Sequence, residues 1–274
     1  MSIPFMKMSG AGNDFVVMDN RDGKVDATPG FISKVCARRV SVGADGMLLV
    51  EKPADPTADF RMRYYNSDGG EAETCGNGAR CIARFAHLHG IAGRSMSFET
   101  AAGRYSADIV GDGVKLGLSD PVDVRPELKV ALADGPRLAS FANTGVPHVV
   151  YFVDDVDALD VVGLGRETRY HDDFAPAGTN ANFAQALDDG SLRVRTYERG
   201  VEDETLACGT GCVAAAIGAS LRGVSASPTT VHVRGGSDLV IHFTDDGGAI
   251  RDVHLEGDAR IVCAGELRGD AWRY

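Results

Sequence analysis

The sequence predicts an α/β protein of two duplicated domains, because one short motif occurs twice, separated by about half of the 274-residue chain. The motif is Cys-Gly-x-Gly, and its two copies begin at Cys75 and Cys208. Strand-forming residues precede each copy, and helix-forming residues follow it. The long period indicates duplicated domains, since the repeats of solenoid proteins run about 20–50 residues.

The two halves also match on both sides of the motif. Upstream, each half has a stretch that alternates in the manner of a strand, then a glycine turn, then an acidic run. Downstream, a helix-forming stretch leads to a second matched strand. The matched pairs are 60–66 with 192–198, 71–74 with 202–205, 82–86 with 213–219, and 96–103 with 230–236.

Further elements are predicted outside the repeat. A glycine-rich turn at 9–14 precedes the first predicted strand, and two prolines within 120–126 mark a domain boundary. The predicted domains are 1–122 and 123–259, and the tail 260–274 is expected to pack back onto the first. Helices are predicted near 31–39 and within 161–170, and strands near 15–19, 47–51, 105–110, 114–118, 149–153 and 182–187.

Composition and charge exclude several classes of partner. The net charge is −11, with acidic residues spread along the chain, which argues against binding to nucleic acid or to an anionic membrane. No apolar run approaches the roughly 20 residues that span a bilayer, and the first residues lack the apolar core of a secretory signal. The sequence therefore predicts a cytoplasmic protein whose partner is a small molecule or another protein.

The cysteines are expected to be reduced, because the chain shows no export signal. They are Cys36, Cys75, Cys81, Cys208, Cys212 and Cys263. The Cys-x5-Cys and Cys-x3-Cys spacings do not match a zinc site, and no histidine stands near either pair, so no metal is expected. A thiol redox protein would need Cys-x-x-Cys, which the chain lacks. The four cysteines other than Cys75 and Cys208 are interpreted as packed small hydrophobic residues.

Each repeated cysteine is expected at the N-terminus of a helix, where partial positive charge lowers the pKa of a thiol from its usual value of about 8.5. Gly76 and Gly209 follow directly. A residue without a side chain lets a substrate approach closely and leaves backbone N–H groups available to an anion. Cys75 and Cys208 are therefore candidate bases or nucleophiles near neutral pH.

Two equivalent thiols favour a different reaction from the reaction that a single thiol favours. A single thiolate beside a histidine is typical of a covalent hydrolase or transferase. With two thiols, one can remove a proton from a carbon while the other delivers a proton to the opposite face, which inverts the stereocentre. Each role needs its own protonation state, so the resting protein is expected to hold one thiolate and one thiol. No cofactor is needed in principle, provided that N–H groups stabilise the charge on the substrate.

Six stretches together closely resemble the diaminopimelate epimerase family, and the resemblance covers nearly the whole chain. A lone Cys-Gly-x-Gly motif would be weak evidence, whereas the joint pattern is specific. The stretches are Gly12–Phe15, Asn66–Gly69, Thr74–Cys81, Gly145–His148, Tyr197–Gly200 and Ala207–Gly211.

The resemblance implies a cofactor-independent epimerase that interconverts LL- and meso-2,6-diaminopimelate, in the bacterial route to lysine and peptidoglycan. It also implies two pseudo-symmetric domains, each a curved, mostly antiparallel sheet wrapped around a central helix, with the active site in the cleft between them. Members of the family tend to form homodimers.

Roles for individual residues follow from the resemblance, position by position. Cys75 and Cys208 would be the acid/base pair, and Glu198 and His148 would flank the α-amino group. The residues implied to hold the distal amino acid end are Asn13, Asn66, Asn182 and Arg199; those implied to bind the reacting carboxylate are Gly76, Asn77, Gly209 and Thr210. The chain departs from the family at Val146, where asparagine is frequent, and at Gly46, where glutamine is frequent.

Other functions remain open at this point. The nearest is a related two-cysteine racemase acting on proline, hydroxyproline or histidine. A different class is a non-catalytic amino-acid-binding protein or a phenazine-type isomerase, which lacks the cysteine pair. The presence of both Cys75 and Cys208 disfavours that class.

Overall fold

The computed structural model describes residues 2–72 and 75–274. Glu73 and Thr74, which belong to the first acidic run and the first motif, lie outside the described residues, as does Met1. The chain divides into two compact units. Unit 1 comprises Met1–Leu116 and Gly257–Tyr274, and unit 2 comprises Gly117–Glu256.

The elements occur in a similar order in both halves of the chain, with one additional strand at the start of the second half. The first half contains β1 (Ile3–Gly10), β2 (Asn13–Asp19), α1 (Pro29–Cys36), β3 (Gly46–Glu51), β4 (Phe60–Asn66), β5 (Glu71–Ala72), α2 (Gly76–Leu88), β6 (Ser95–Thr100), β7 (Gly103–Val110) and β8 (Gly113–Gly117). The second half contains β9 (Val122–Leu132), β10 (Gly135–Asn143), β11 (Pro147–Phe152), α3 (Val161–Arg169), a 3₁₀ turn (Asp172–Phe174), β12 (Asn180–Ala186), β13 (Leu192–Glu198), β14 (Asp203–Thr205), α4 (Gly209–Leu221), β15 (Thr229–Val233), β16 (Asp238–Asp245) and β17 (Ile250–Asp258). The chain ends with β18 (Arg260–Leu267) and a 3₁₀ turn (Gly269–Ala271).

Strand pairing follows the same pattern in the two units. In unit 1 the sheet runs β18-β1-β2-β3-β4-β6-β7, with β2–β3 and β4–β6 parallel and the other pairs antiparallel. In unit 2 it runs β9-β10-β11-β12-β13-β15-β16-β17, with β11–β12 and β13–β15 parallel. The expected α/β fold with mostly antiparallel sheets is confirmed.

A central helix packs against the strands of each unit. Helix α2 contacts β1, β2, β3, β4 and β7, and α4 contacts β10, β11, β12, β13, β15 and β16. Every residue of α4 from Gly211 to Ala219 is buried. A helix that is apolar on all sides is stable only when it is enclosed, and the strands of the same unit provide that enclosure.

The structure corrects three sequence predictions. Strand β1 precedes the first predicted strand, and the predicted turn at 9–14 shrinks to Ala11 and Gly12. Helix α1 ends at Cys36, short of the predicted 39. Strand β9 begins at Val122, within the proline-containing stretch 120–126, and Pro126 lies at a break in its register with β10, where a proline is tolerated. Cys263 is exposed on β18 and is not a packed core residue.

Among the residues that the structure describes, none of the helices has the length and apolar character needed to cross a membrane.

Candidate active site

Both repeated cysteines occupy the N-cap position of the central helix of their unit, so the predicted placement at helix N-termini is confirmed. Cys75 caps α2, and its Sγ accepts a hydrogen bond from the N–H of Gly78 at 3.5 Å. Cys208 caps α4 and is buried, with 8% of its surface exposed. The positive end of each helix dipole therefore lies beside a thiol, which favours the thiolate form.

The glycines after the cysteines leave the helix N-termini accessible. A Cβ atom built on Gly76 would meet no other atom within 4 Å, and one on Gly209 would touch only the Leu255 side chain at 3.0 Å. The first N–H groups of a helix have no acceptor within the helix. Both N-termini can therefore offer backbone donors to an anionic group.

In unit 1 the predicted residues Asn13 and Asn77 lie together. Asn77 donates from Nδ2 to Oδ1 of Asn13 at 2.7 Å, and Asn13 donates from Nδ2 to Asp45 at 3.2 Å. Asn77 is 6% exposed, and its own Oδ1 accepts from the Arg80 guanidinium at 2.8 Å. The amide cluster therefore joins the first turn of α2 to the start of β2.

Arg80 was missed by the sequence interpretation. Its guanidinium is fully buried and donates to the carbonyl oxygens of Asp258 at 3.1 Å and Gly76 at 3.4 Å, besides Asn77. A positive charge thus lies within the first turns of the helix that Cys75 caps. The available signal was the position of Arg80 next to the apolar residues Ala79, Cys81 and Ile82, since arginine is almost never fully buried without partners.

An ion cluster fixes the start of β2 next to Asn13. Asp14 contacts Lys7 at 2.8 Å and Arg38 at 2.7 Å, and Arg38 also contacts Asp45 at 2.8 Å. Burial alone would raise the pKa of Asp14, but the hydrogen bonds from Arg38 and Lys7 outweigh it and lower that pKa to about 2. This cluster also went unrecognised in the sequence, because its members come from three separate segments.

Asn66 stands at the exposed end of β4, directly opposite Gly46 in the sheet register. Its Oδ1 accepts from the hydroxyl of Tyr64 at 2.8 Å. A Cβ atom on Gly46 would lie 2.7 Å from Cε2 of Tyr64. The Tyr64 ring therefore occupies the space that a side chain at position 46 would need.

In unit 2 the predicted residues Cys208, Thr210, His148 and Asn182 form one connected set. His148 is fully buried, and its Nε2 lies 2.9 Å from Oγ1 of Thr210, which in turn lies 3.6 Å from Sγ of Cys208. Asn182 Nδ2 lies 3.1 Å from Nδ1 of His148. Burial lowers the pKa of His148 to about 3, so the imidazole is neutral at physiological pH.

Asn182 contacts the His148 ring at Nδ1 and is fully buried. Its neighbour on the same face of β12, Asn180, links two other parts of the site. Asn180 Oδ1 accepts from the backbone N–H of Arg199 at 2.8 Å, and its Nδ2 donates to the carbonyl of Pro147 at 3.0 Å. The Arg199 guanidinium donates to the carbonyl of Ala177 at 3.2 Å.

Glu198 ends β13 beside Arg199 and is half-buried. Burial raises the pKa of the Glu198 carboxyl, and the hydroxyl of Thr205 opposes that shift. A carboxylate held in this way gains from an ammonium group placed next to it.

Within the described ranges 2–72 and 75–274, no group of three or more His, Cys, Asp or Glu side chains is arranged to hold a metal ion.

The architecture of the chain is that of a group of racemases and isomerases. A probable proline racemase from Agrobacterium radiobacter K84 superposes with a TM-score of 0.67 at 15% identity, covering 97% of this chain and 93% of that one. A PhzF-family phenazine biosynthesis protein from Bacillus anthracis gives a TM-score of 0.69 at 16% identity, covering 98% and 99%. The fold is therefore the two-domain fold of this group.

Sequence comparison is more specific. The model of the family described as diaminopimelate epimerase matches residues 5–122 and 140–262. Diaminopimelate epimerase from Aquifex aeolicus is 44% identical over 280 residues, covering 98% of this chain and 99% of that protein. The Archaeoglobus fulgidus protein of the same name is 42% identical over 289 residues, covering 100% and 99%. The chain belongs to the diaminopimelate epimerase family and is an isomerase, which confirms the resemblance found in its motifs.

Proposed function

We propose that the chain interconverts LL- and meso-2,6-diaminopimelate by proton transfer at one α-carbon, with Cys75 and Cys208 as the two acid/base groups. The observation that carries the proposal is the N-cap position of both cysteines on the matched central helices. Relatives named diaminopimelate epimerase, at 42–44% identity over nearly the whole chain, support the choice of substrate.

The proposed reaction begins with one cysteine as thiolate and the other as thiol. The thiolate removes the α-proton, and the thiol returns a proton from the opposite side, so the configuration inverts and the two sulfur atoms exchange protonation states. The carboxylate next to the reacting carbon accepts charge in the transition state. N–H groups at the starts of α2 and α4 are suited to stabilise that charge.

The remaining residues of the candidate site are assigned to recognition. Glu198 would accept from the α-ammonium, because its half-buried carboxylate gains from a cation placed beside it. Asn13, Asn66 and Arg199 would hold the distal ammonium and carboxylate, for which amide groups and a guanidinium supply acceptors and donors. The proposal includes a cytoplasmic location, a homodimer, and a place in lysine and peptidoglycan precursor synthesis.

Deuterium exchange from D₂O into LL- and meso-diaminopimelate tests the reaction. We expect exchange with both isomers, and loss of at least about 10³-fold in rate for Cys75→Ala and for Cys208→Ala. Cys263→Ser is the matched control, because Cys263 is exposed on β18 and is assigned no role. Circular dichroism of each variant checks that the fold is retained.

Parallel assays with proline, trans-4-hydroxyproline and histidine test the alternative of a related racemase. Exchange into one of these amino acids, with none into diaminopimelate, would replace the proposed substrate. Substantial epimerisation by either alanine variant would contradict the two-base assignment, whichever substrate is used.

A further inference from the structure

We infer that Asn182 and His148 are positioning residues that direct a hydrogen bond from the Thr210 hydroxyl to the sulfur of Cys208. The inference rests on the proposed function, in which Cys208 acts as a thiolate. It assigns to Asn182 a role in the catalytic half of the site, in place of the distal contact that the family resemblance implies.

The first step is the orientation of the Asn182 amide. Its Nδ2 lies 2.9 Å from the carbonyl oxygen of Val149, which can only accept, so the amide nitrogen must be on that side. Its Oδ1 accepts from the hydroxyl of Thr196 at 2.9 Å. Thr196 is directly opposite Asn182 in the register of β12 and β13 and is itself buried. Asn182 is thus fixed at both ends.

The second step is the tautomer of His148. The remaining hydrogen on Nδ2 of Asn182 points to Nδ1 of His148, at 3.1 Å, so Nδ1 must be the accepting nitrogen. A neutral imidazole with an accepting Nδ1 carries its proton on Nε2. Protonation of Nδ1 would place two donors against each other, which adds to the effect of burial in keeping the ring neutral.

The third step is the direction of the Thr210 hydroxyl. The Nε2–H of His148 donates to Thr210 Oγ1 at 2.9 Å, so the hydroxyl proton of Thr210 is directed elsewhere. Sγ of Cys208 lies 3.6 Å from the same oxygen, within the range of a hydrogen bond to sulfur. The backbone of Thr210 is held by Thr144, whose hydroxyl donates to the Thr210 carbonyl at 2.9 Å. The series of hydrogen bonds that begins at Thr196 therefore ends in a donor to Cys208.

A hydrogen bond donated to sulfur stabilises the thiolate over the thiol. Helix α4 has no acidic residue in its first turn, and the Arg199 charge further lowers the pKa of His148. We therefore assign the stabilisation of the Cys208 thiolate to this series of hydrogen bonds.

Unit 1 supports its cysteine with different groups. Cys75 Sγ accepts from the backbone N–H of Gly78. The residue that matches Thr210 in the repeat is Asn77, which contacts Asn13 and Arg80. Removal of the Thr210 hydroxyl should therefore affect Cys208 and leave Cys75 unchanged.

Alkylation by iodoacetamide tests this inference without any substrate. The rate at Cys75 and at Cys208 is followed separately by peptide mass spectrometry between pH 5 and pH 10 on the full chain. For Thr210→Val we expect the midpoint of Cys208 alkylation to move up by about one pH unit, with the Cys75 midpoint unchanged. Thr210→Ser keeps the hydroxyl and should restore the original midpoint.

The matched control is Thr168→Val, which removes another buried hydroxyl of unit 2, one that contacts Tyr151 and the carbonyl of Leu164. This control should leave both cysteines unchanged. An unshifted Cys208 in Thr210→Val, equal behaviour of the valine and serine variants, or equal shifts at both cysteines would each overturn the inference.

Nitrogen-15 NMR of His148 supplies an independent test, with its signal identified by loss in His148→Gln. We expect the Nε2-protonated neutral tautomer from pH 5 to pH 9, and a change of tautomer population in Asn182→Ala. An Nδ1-protonated ring in the unsubstituted chain would overturn the inference. Failure of the proposed function would show differently, as retained epimerisation in Cys208→Ala.

Discussion

Gly211 of helix α4 is in direct contact with Asn182 of strand β12: a Cβ atom on Gly211 would lie 2.2 Å from Oδ1 of the asparagine. The second glycine of the Cys-Gly-x-Gly motif is therefore required in unit 2 by the side chain that holds His148. On its counterpart in unit 1, Gly78, a Cβ atom would lie 3.2 Å from a methyl group of Leu48. The same motif position is thus small for two different reasons.

Gly211→Ala is expected to lower activity even though alanine is the better helix former. The gain in helix propensity is about 1 kcal/mol, whereas displacing Asn182 costs buried hydrogen bonds at about 1–3 kcal/mol each. We expect kcat to fall about tenfold and the unfolding free energy to fall by about 1–2 kcal/mol, measured by the exchange assay and by urea denaturation. Gly30→Ala in α1 is the control, since a Cβ there meets nothing within 4 Å. Full activity in Gly211→Ala would contradict the close contact.

Tyr64→Phe is expected to weaken binding of the distal end of the substrate. The phenylalanine keeps the ring that fills the space beside Gly46 and removes only the hydroxyl that donates to Asn66. Loss of one such bond corresponds to about 1 kcal/mol, so KM should rise about fivefold with kcat nearly unchanged. Steady-state kinetics measures both constants, and a fall in kcat alone would assign Tyr64 to the chemical step.

Tyr65→Phe is the matched control on the opposite face of the same strand. Among the described residues, the buried Tyr65 hydroxyl has no hydrogen-bond partner. Its removal should leave the kinetics unchanged and raise the unfolding free energy by about 1 kcal/mol, because an unpaired buried polar group is destabilising.

Glu198→Gln is expected to raise the stability of the protein and to lower its activity. Burial raises the pKa of Glu198, so the fold favours the protonated carboxyl. Its contribution to stability is fully present below the pKa of the unfolded state, about 4.3, and is lost as pH rises through the folded value. The glutamine variant should match the parent near pH 4 and become progressively more stable than the parent towards pH 8. Activity should fall at least tenfold, since glutamine cannot hold the α-ammonium by charge.

Glu202→Gln is expected to change stability in the opposite direction from Glu198→Gln. The N–H of Gly200 and the Arg169 guanidinium lower the pKa of Glu202, so its contribution is present above the unfolded pKa and is lost as pH falls. This variant should be less stable than the parent at pH 8, and the difference should vanish in acid. Denaturation curves at pH 4, 6 and 8 measure both variants, and parallel behaviour of the two would refute the assignment for Glu198.

Local sequence features predicted the parts of the site that depend on local structure. Cys75 and Cys208 stand before glycine and a helix-forming run, which is sufficient to place each at an N-cap. The duplication could also be predicted from the sequence, because the matched strands and helices keep their order along the chain. The register of strands that neighbour each other in sequence then follows from the alternation of apolar residues.

Contacts between distant segments could not be predicted in this way. The series of hydrogen bonds from Thr196 to Cys208 joins β11, β12, β13 and α4. Nothing in the local sequence pattern indicates that Asn182 faces His148. Asn180 and Asn182 differ by two positions on one strand, so composition alone could not decide which of them lies next to Arg199. The ion cluster of Asp14 was missed for the same reason, and so was the contact of Arg80 with the distant carbonyl of Asp258.

The pairing of β18 with β1 has a consequence for biosynthesis. Ile3 lies opposite Leu267 at one end of this ladder, so unit 1 contains strands from both sides of unit 2 in the sequence. A ribosome delivers all of unit 2 before it releases β18, and until then the outer edge of β1 lacks its neighbour. Unit 2 is therefore expected to close first on the nascent polypeptide. Unit 1, although its synthesis starts earlier, completes its sheet last, which leaves an open strand edge exposed to chaperones during translation.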